Sequence, residues 1–421
     1  MKKIQSELNL SKARSNCRVC LSADLQEVLS LGSTPPANAF LKKENLGKAE
    51  PFFPLTLDFC KKCGFIQLQN IVSPELLFRD YVYVSSTSPV FVAHFEELAE
   101  TIKNRFDFPA NSLIVDIGSN DGILLQPFKA RGWKILGIDP AVKIAEMATE
   151  NGIETWPEFF NPKIAKKIIA EKGKAKIVSA TSVFPHIDDL DNIVAGVKEL
   201  LAEDGFFLVE AYYLADLVEK NLFDTIYHEH LSYFTVKTMS ELFKRLGMEI
   251  FNVEKTNSHG GSLRVFAQRN RGARRINAVA QKFIAEETKR GFDRALTYLN
   301  FSNKIEENKN RLLRLLNDLK KRSKKIIGYG APAKGNTLLN YFQIGPETLD
   351  YIVDDSSWKQ GLYTPGMHIP VVSSAELSKN KPDYILILAW NFAEPIMKKL
   401  SQFAKEGGKF IVPIPNPTIK P

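Results

Sequence analysis

The stretch Leu113-Ile-Val-Asp-Ile-Gly-Ser-Asn-Asp-Gly-Ile-Leu-Leu125 decides the fold of this chain. Its first part, Leu113–Ile117, is apolar without alternation, which is typical of a parallel strand buried on both faces. Gly118 and Gly122 let the backbone turn sharply and approach a ligand closely, and a helix is predicted to begin near Gly122. The stretch therefore predicts a strand, a glycine-rich loop and a helix, the repeating unit of a parallel α/β sheet.

An acidic residue ends the next predicted strand, Lys134–Ile138. Asp139 lies about twenty positions beyond the loop, the spacing at which a carboxylate can accept hydrogen bonds from ribose hydroxyls. The glycine pattern is Asp-x-Gly-x-x-x-Gly rather than Gly-x-Gly-x-x-Gly, which favours S-adenosylmethionine over NAD; an ordinary turn without a ligand is the alternative. Asp116 would face the amino-acid end of this cofactor. The predicted cofactor-binding residues are Asp116, Gly118, Ser119, Asn120, Gly122, Asp139 and Pro140.

Further strands at Lys176–Ala180 and Phe206–Glu210, with a helix at Asp191–Leu201 between them, continue the alternation of a doubly wound sheet. Ligands bind at the carboxyl ends of such strands. The segments that follow these two ends, Thr181–His186 and Glu210–Tyr213, are therefore candidate site residues.

A second strand, glycine-rich loop and helix begin at Lys325-Ile-Ile-Gly-Tyr-Gly-Ala-Pro-Ala-Lys-Gly-Asn336. Strands are predicted at Asp350–Val353 and Tyr384–Ala389, and an amphipathic helix within Ala285–Lys325 joins the two units. The loop carries Lys334, suited to a phosphate, and Tyr329, able to stack on a base. A second nucleotide-binding domain or a ligand-free support domain would both fit this pattern.

All four cysteines fall into two Cys-x-x-Cys pairs, Cys17-Arg-Val-Cys20 and Cys60-Lys-Lys-Cys63. Two such turns make a tetrahedral sulfur site that suits zinc and leaves no open position for catalysis. Chance placement, two disulfides and a redox pair are the alternatives, of which the last would need only one pair. The pattern predicts structural zinc in a small N-terminal module that has little core of its own.

The composition excludes some classes of partner. The net charge of +8 is scattered over 421 residues, without the basic, aromatic-rich stripe of a nucleic-acid protein, and it fits an anionic substrate such as a diphosphate. No apolar run approaches the ~18 residues of a membrane helix, and Met1–Asn16 lacks the apolar core of a secretory signal. We expect a cytoplasmic protein without nucleic-acid or membrane partners.

Two of the six histidines fall in Tyr227-His-Glu-His230. On a strand or extended loop, Tyr227 and Glu229 would point one way and His228 and His230 the other. A histidine base titrates near working pH, and a neighbouring carboxylate can orient it. This suits removal of a proton beside a ketone before methylation at carbon, although methylation at oxygen also commonly uses a base. A metal site and packed core histidines are the alternatives.

The order of three features resembles one family over nearly the whole chain. The four-cysteine module, the Asp-Ile-Gly-Ser-Asn-Asp-Gly loop, and Tyr-His-Glu-His followed by Gly-Tyr-Gly-Ala-x-Ala-Lys-Gly resemble the nucleotide-sugar C-methyltransferases, especially the TDP-4-keto-deoxysugar 3-C-methyltransferases. The resemblance implies an α/β fold with a zinc-binding module (1–72), a class I S-adenosylmethionine-dependent methyltransferase domain (73–270) and a C-terminal Rossmann-like sugar-nucleotide domain (271–421). We expect a monomer.

The same resemblance implies the reaction and its residues. A histidine base removes the C3 proton beside a C4 ketone, and the enolate takes the methyl group in line from the sulfonium. The implied catalytic residues are His230 as the base, Tyr227 and Glu229 beside it, and His186 and Tyr81 as sugar contacts. The implied sugar-nucleotide residues are Tyr329, Lys334, Asn336, Trp390 and Asn391.

One departure concerns the substrate. Ala180-Thr-Ser-Val stands where an Ala-Asn type segment is common in the family, a departure that can alter contacts near the methyl group or the sugar. Methylation of oxygen, nitrogen or C5 of a related sugar is a second hypothesis. A non-enzymatic zinc-and-nucleotide-binding protein is a third, against which Asp116, Gly118, Gly122 and Asp139 argue.

Overall fold

The computed structural model describes residues 10–79, 84–87 and 89–421. Its N-terminal part is a small β-structure in which β1 and β5 pair with each other, and β2, β3 and β4 form an antiparallel sheet. The elements are β1 (Ser11–Ala13), β2 (Leu25–Thr34), a 3₁₀ turn (Lys43–Asn45), β3 (Phe53–Cys60), β4 (Ile66–Leu68), β5 (Asn70–Val72) and helix α1 (Pro74–Phe78).

The central part alternates strands and helices, as the spacing predicts. Its helices are α2 (Pro89–Arg105), α3 (Leu125–Ala130), α4 (Val142–Glu150), α5 (Pro162–Lys172), α6 (Leu190–Leu200), α7 (Leu214–Glu219) and α8 (Val236–Arg245). Its strands are β6 (Leu113–Ile117), β7 (Lys134–Ile138), β8 (Thr155–Trp156), β9 (Ala175–Thr181), β10 (Leu201–Tyr212), β11 (Ser232–Tyr233), β12 (Met248–Thr256) and β13 (Ser262–Arg269). Short 3₁₀ turns lie at Ser85–Thr87, Phe184–His186, Phe223–Thr225 and Ser258–Gly260.

Among the described residues, seven of these strands form one sheet in the order β12-β13-β10-β9-β6-β7-β8. The strands from β10 to β8 are parallel, and only β13 and β12 run antiparallel to their neighbours. All five residues of β6 are buried, because helices cover both faces of the sheet. The strand order reverses between β6 and β9, so a crevice opens at their carboxyl ends, where such sheets bind ligands.

The C-terminal part repeats this plan in a second sheet of order β16-β15-β14-β17-β18-β19, in which only β19 is antiparallel. Its strands are β14 (Ile326–Tyr329), β15 (Ile352–Val353), β16 (Val371–Val372), β17 (Tyr384–Ile387), β18 (Lys409–Val412) and β19 (Thr418–Lys420). Its helices are α9 (Val279–Lys289), α10 (Ala295–Lys321), α11 (Ala333–Phe342), α12 (Glu376–Lys379), α13 (Ala393–Lys399) and α14 (Ser401–Lys405), with a 3₁₀ turn at Trp390–Phe392.

The helical segment predicted between the two sheets is in fact two helices, α9 and α10. Gly291, with φ of +77°, lies in the break between them. The apolar stripe predicted on the longer helix is buried as expected, at Ile305, Leu312, Leu316 and Leu319.

The N-terminal module is more closely joined to the rest of the chain than the sequence indicates. Its sheet is completed by β11, which comes from the central part and pairs antiparallel with β4. Phe65 and Ile66 are fully buried and belong to an apolar core that includes residues from all three parts of the chain. The module thus shares its core with the other two parts of the chain, which fits the expectation that it has little core of its own. The domain boundaries at 72 and 270 stay a prediction.

Candidate active site

One cavity of about 590 Å³ lies where the carboxyl ends of the two sheets meet. Gly118 and Asp139 of the first unit, Lys334 and Asn391 of the second, and His230 between them all line this cavity. The strand ends and loops that the sequence singles out separately therefore form a single site.

The glycine loop after β6 has the left-handed backbone that its sequence predicts. Gly118 has φ of +70°, and a Cβ atom there would lie 2.6 Å from Val183 Cγ2. Asp139 at the end of β7 holds the loop: its carboxylate accepts hydrogen bonds from Asn120 N (2.8 Å) and Ala141 N (2.9 Å). Burial raises the pKa of Asp139, and these two backbone N–H groups oppose that shift.

Asp116 is buried on β6 and also lines the cavity. Burial raises its pKa to about 7, the hydrogen bond from Ser179 Oγ (2.7 Å) opposes this, and the charge of Asp139 adds to it. A carboxyl group whose pKa lies near 7 can become fully ionised when a cation binds beside it.

Most of the predicted cofactor residues come together around this loop. The cavity lining includes Asp116, Gly118, Ser119, Asn120, Asp139 and Pro140. Gly122 is not part of the lining; its φ is +82°, and a Cβ atom there would lie 2.6 Å from Ile153 Cγ2. Gly122 therefore closes the turn between β6 and α3, and its absent side chain lets the loop pack against Ile153, in the segment between α4 and β8.

The Tyr227–His230 segment is a tight turn, closed by a hydrogen bond from His230 N to the Tyr227 carbonyl (2.8 Å). The alternation expected for an extended loop is wrong, because the turn brings the rings of Tyr227 and His230 to 3.9 Å of each other. Both rings line the cavity. The ring of His228 instead contacts Phe53, and its Nε2 lies 3.1 Å from the Phe53 carbonyl.

His230 is oriented by a backbone carbonyl. Its Nδ1 lies 2.6 Å from the Thr225 carbonyl oxygen. A carbonyl oxygen can only accept, so Nδ1 carries the proton, and in the neutral ring the basic lone pair is on Nε2. Glu229 does not supply this hydrogen bond; its Oε1 accepts from Asn38 Nδ2 (2.7 Å).

His186 stacks between two rings, that of His230 at 5.0 Å and that of Phe78 at 5.7 Å. Burial lowers the pKa of His186 to about 4, so this imidazole is neutral at physiological pH. Its Nε2 is buried without a hydrogen-bond partner in the part of the chain that the structure describes. His186 lines the cavity, as predicted for a residue after β9. Tyr81 lies outside the described residues.

The second glycine loop brings a cation to the cavity. Lys334, in the first turn of α11, is buried, and its Nζ finds no hydrogen-bond partner among the described residues. It lies 5.1 Å from the ring of Trp390 and 5.7 Å from that of Tyr212. Burial lowers the pKa of Lys334, and the nearby charge of Asp224 opposes this.

The other predicted sugar-nucleotide residues have varied surroundings. Asn391 lines the cavity, whereas Trp390 donates from Nε1 to Asp224 Oδ2 (2.5 Å). Tyr329 is buried in β14 and donates to the Asp355 carboxylate (3.1 Å), and Asn336 donates to the Ala37 carbonyl (2.7 Å). Neither Tyr329 nor Asn336 is in the cavity lining. Binding roles for all four residues stay predictions.

The four cysteine sulfurs lie within 4.8 Å of one another. Cys17 Sγ is 3.6 Å from Cys63 Sγ, and Cys20 Sγ is 3.5 Å from Cys60 Sγ. These separations are far longer than the ~2.05 Å of a disulfide and fit a shared tetrahedral ion. The donor set and its geometry therefore suit structural zinc and exclude the disulfide alternative.

A cluster that sequence reasoning found only in part lies on β10. Glu210, which lines the cavity, contacts His94 Nε2 (2.7 Å) and accepts from Arg264 Nε (3.0 Å). Burial would raise the pKa of Glu210, but the hydrogen bond from His94 and the charge of Arg264 hold it below its usual value. Glu210 is the last residue of a predicted strand, and that position made it a candidate site residue. His94 and Arg264 carry no local signal, because only the tertiary fold brings α2 and β13 to this point.

The sheet order, the glycine loop with Asp139 and the four-cysteine site define a class: a methyltransferase that uses S-adenosylmethionine and carries structural zinc. Three family models match in succession, a zinc binding domain (residues 17–78), a methyltransferase domain (residues 92–253) and a C-methyltransferase C-terminal domain (residues 257–415). The C-methyltransferase NovU of Streptomyces niveus is 36% identical over 403 residues, 96% of each chain. The chain belongs to this family of C-methyltransferases.

More distant similarities cover less than half of the chain. The ubiquinone biosynthesis O-methyltransferase of a Methylobacterium strain is 28% identical over 102 residues, 23% of this chain and 40% of that one. The magnesium protoporphyrin IX methyltransferase of Synechocystis, solved with bound S-adenosylmethionine, is 14% identical over 42% of this chain and 79% of that one, with a TM-score of 0.33. Within residues 10–79, 84–87 and 89–421, no helix is both long and apolar enough to cross a membrane.

Proposed function

We propose that this C-methyltransferase acts at C3 of a nucleotide-linked 4-keto-deoxysugar, with TDP as the nucleotide. The observation that carries the proposal is the position of His230. Its ring lines the same cavity as the glycine loop, and the Thr225 carbonyl fixes its tautomer. A base beside the methyl donor is what methylation at carbon requires, because carbon becomes nucleophilic only after it loses a proton.

In the proposed reaction, His230 Nε2 takes the proton from C3, and the electron pair of the C–H bond moves into an enolate with the C4 oxygen. S-adenosylmethionine supplies an electrophilic methyl group to C3 and leaves as S-adenosylhomocysteine. The proton remains on the His230 imidazolium until solvent removes it. The Thr225 carbonyl keeps its hydrogen bond with Nδ1 throughout, so the ring stays oriented while its charge changes.

Neighbouring groups would hold the sugar. Neutral His186 can donate or accept a hydrogen bond through its buried Nε2, and the Tyr227 hydroxyl can donate to the developing C4 oxygen. Glu229 would act indirectly, through Asn38, which also lines the cavity. Tyr81 would be a further sugar contact, as the resemblance to the family implies.

The nucleotide part of the acceptor would lie at the second glycine loop. Lys334 is a buried cation whose Nζ lacks a hydrogen-bond partner in the described part of the chain, and a diphosphate oxygen would supply one. The N-terminus of α11 adds backbone N–H groups and a favourable dipole for an anion. Asn391 would contact the sugar-nucleotide from the 3₁₀ turn that follows β17.

A matched pair of histidine variants tests the base. His230→Asn keeps a donor at the position of Nδ1 but removes the base, and His228→Gln keeps a polar atom at the position of the Nε2 that faces Phe53. Each variant is incubated with ¹³C-methyl S-adenosylmethionine and a panel of TDP-4-keto-6-deoxysugars, and the product is analysed by NMR. We expect ¹³C on C3 with loss of the C3 proton, a rate about 10²–10⁴-fold lower in His230→Asn, and little change in His228→Gln.

Exchange of the C3 proton with D₂O, measured without the methyl donor, isolates the first step. It should be lost with His230→Asn. Methylation of oxygen or nitrogen, or at C5, would replace the proposal with the second hypothesis. Full exchange in His230→Asn would remove His230 as the base.

A further inference from the structure

The loop that carries His230 is attached to the zinc module immediately after the histidine. Ser232 and Tyr233 form β11, which pairs with Gln67 and Ile66 of β4. A further hydrogen bond runs from Leu68 N to the Leu231 carbonyl (2.9 Å). The position of the proposed base therefore depends on where β4 lies.

Gln67 connects β4 to one of the two zinc-binding turns. Its side chain is fully buried. Its Oε1 accepts from the backbone N of Arg18 (2.9 Å), and its Nε2 donates to the Asn16 carbonyl (3.1 Å). Arg18 lies between the zinc ligands Cys17 and Cys20, so this single side chain spans from the metal turn to the strand that pairs with β11.

The Arg18 side chain makes a second connection from the same turn. Its Nη1 donates to the Leu68 carbonyl (2.8 Å), and its Nε donates to Asp188 Oδ1 (3.0 Å). Asp188 lies two residues beyond His186 and lines the cavity. Leu231 N also donates to the Pro185 carbonyl (2.9 Å), which joins the segments of the two stacked histidines.

We infer that Gln67 is a positioning residue that ties the zinc-binding turn Cys17–Cys20 to the loop of His230, so that the zinc module sets the geometry of the base. This inference rests on the proposed function, in which His230 removes the proton. A displacement of the base by about 1 Å can cost ~10²-fold in rate. Metal and cavity are thus coupled through the buried Gln67 amide, beside the second connection made by Arg18, and zinc has a role beyond holding its own module together.

The test compares two buried glutamines in the full-length protein. Gln67→Leu removes both side-chain hydrogen bonds at similar volume. Gln268→Leu is the matched control: Gln268 is equally buried on β13, where it bonds to Glu249 and Arg274. For each variant we would measure zinc content, affinity for S-adenosylmethionine, thermal stability, and D₂O exchange at C3 of TDP-4-keto-6-deoxyglucose.

A further measurement reports on the position of the His230 ring without using the reaction. The ring Nδ1–H of His230, which is bonded to the Thr225 carbonyl, can be followed by ¹⁵N NMR of histidine-labelled protein and assigned with His230→Asn. Its exchange with water reports on the position of the ring. We expect Gln67→Leu to accelerate this exchange at least tenfold and to lower C3 exchange at least tenfold, with one zinc per chain and an affinity for S-adenosylmethionine within twofold of wild type.

Two results would overturn the inference: wild-type ring and C3 exchange in Gln67→Leu, or equal losses in Gln67→Leu and Gln268→Leu, which indicate a stability effect alone. If Gln67→Leu does not fold, Gln67→Asn, which keeps the amide but shortens its reach, takes its place under the same criteria. Full C3 exchange in His230→Asn would instead reject His230 as the base, and the ring exchange measurement would still decide the role of Gln67.

Discussion

The two glycine loops are held by the same backbone hydrogen-bonding arrangement but present side chains of different charge. In the first unit, Asp139 accepts hydrogen bonds from Asn120 N and Ala141 N, at 2.8 and 2.9 Å. In the second, Asp354 at the end of β15 accepts from Ala331 N and Ser356 N, at 2.6 and 2.8 Å. In both cases an aspartate at the end of the neighbouring strand fixes the glycine loop.

The side chains that these loops present to the cavity are of opposite charge. The first unit presents the carboxyl groups of Asp116 and Asp139, and the second presents the ammonium groups of Lys334 and Lys359. Burial lowers the pKa of both lysines. The aspartate that fixes each glycine loop thus determines where a ligand lies, and the charged side chains determine which kind of ligand binds there. The difference fits a cationic methyl donor at the first loop and, in our proposal, an anionic nucleotide at the second.

Replacing each of the two aspartates should have the largest effects, with similar losses of stability but different changes in the affinity for S-adenosylmethionine. Asp139→Ala and Asp354→Ala each leave two backbone N–H groups without an acceptor, so we expect similar losses of stability, about 2–4 kcal/mol. Only Asp139→Ala should weaken binding of S-adenosylmethionine, by about 100-fold, because it frees the loop proposed to hold the cofactor and removes the proposed ribose acceptor. Isothermal titration calorimetry and thermal unfolding of both variants measure the two effects.

An equal decrease in the affinity for S-adenosylmethionine in Asp139→Ala and Asp354→Ala would contradict the assignment of different ligands to the two loops. That outcome would mean that the second loop supports the first mechanically and has no ligand of its own.

Replacing the buried lysine isolates the second loop. Lys334→Met keeps the length of the side chain but removes the cation, and we expect the KM for the acceptor to rise about 10- to 100-fold, the usual range for a hydrogen bond to a charged group. Affinity for S-adenosylmethionine should stay within twofold. Lys309→Met, a change at a lysine on α10 that is not part of the cavity lining, is the control. An unchanged KM would favour the ligand-free support domain.

The sequence predicted the parts of the site that are local. The apolar runs and glycine spacing located β6, β7 and β14, because a buried parallel strand and its following turn leave a compact pattern. The cysteine pairs located the zinc site for the same reason. These local patterns alone single out Asp116, Asp139 and Lys334 as candidate site residues, and all three line the cavity.

What the sequence could not predict depends on contacts between distant segments. Thr225 acts through its carbonyl, which any residue type would supply, so it leaves no signal. The return of β11 to the zinc module adds a two-residue strand too short for a periodic pattern. The turn at Tyr227–His230 is set by its attachment at Phe53, Asn38 and β4, and it overrides the alternation that an extended loop would have.

The smallest predicted effect is a difference in pH dependence between the two loops. Asp116, whose pKa burial raises to about 7, is protonated below that pH in the free protein. A bound cation favours its ionised form, so binding of S-adenosylmethionine releases a proton and its affinity should rise by up to about tenfold per pH unit between pH 5.5 and 7. Asp116→Asn should remove this slope.

The second loop should respond in the opposite direction. Burial lowers the pKa of Lys334, so its ammonium group loses its proton more readily as pH rises, and acceptor binding should weaken on the alkaline side.

The stability of the protein gives an independent check on Asp116. Between about pH 4 and 7 the folded chain binds the Asp116 proton more tightly than the unfolded chain does, so this group's contribution to stability falls as pH rises. A pH dependence of S-adenosylmethionine binding that survives in Asp116→Asn would assign the released proton to another group in the cavity.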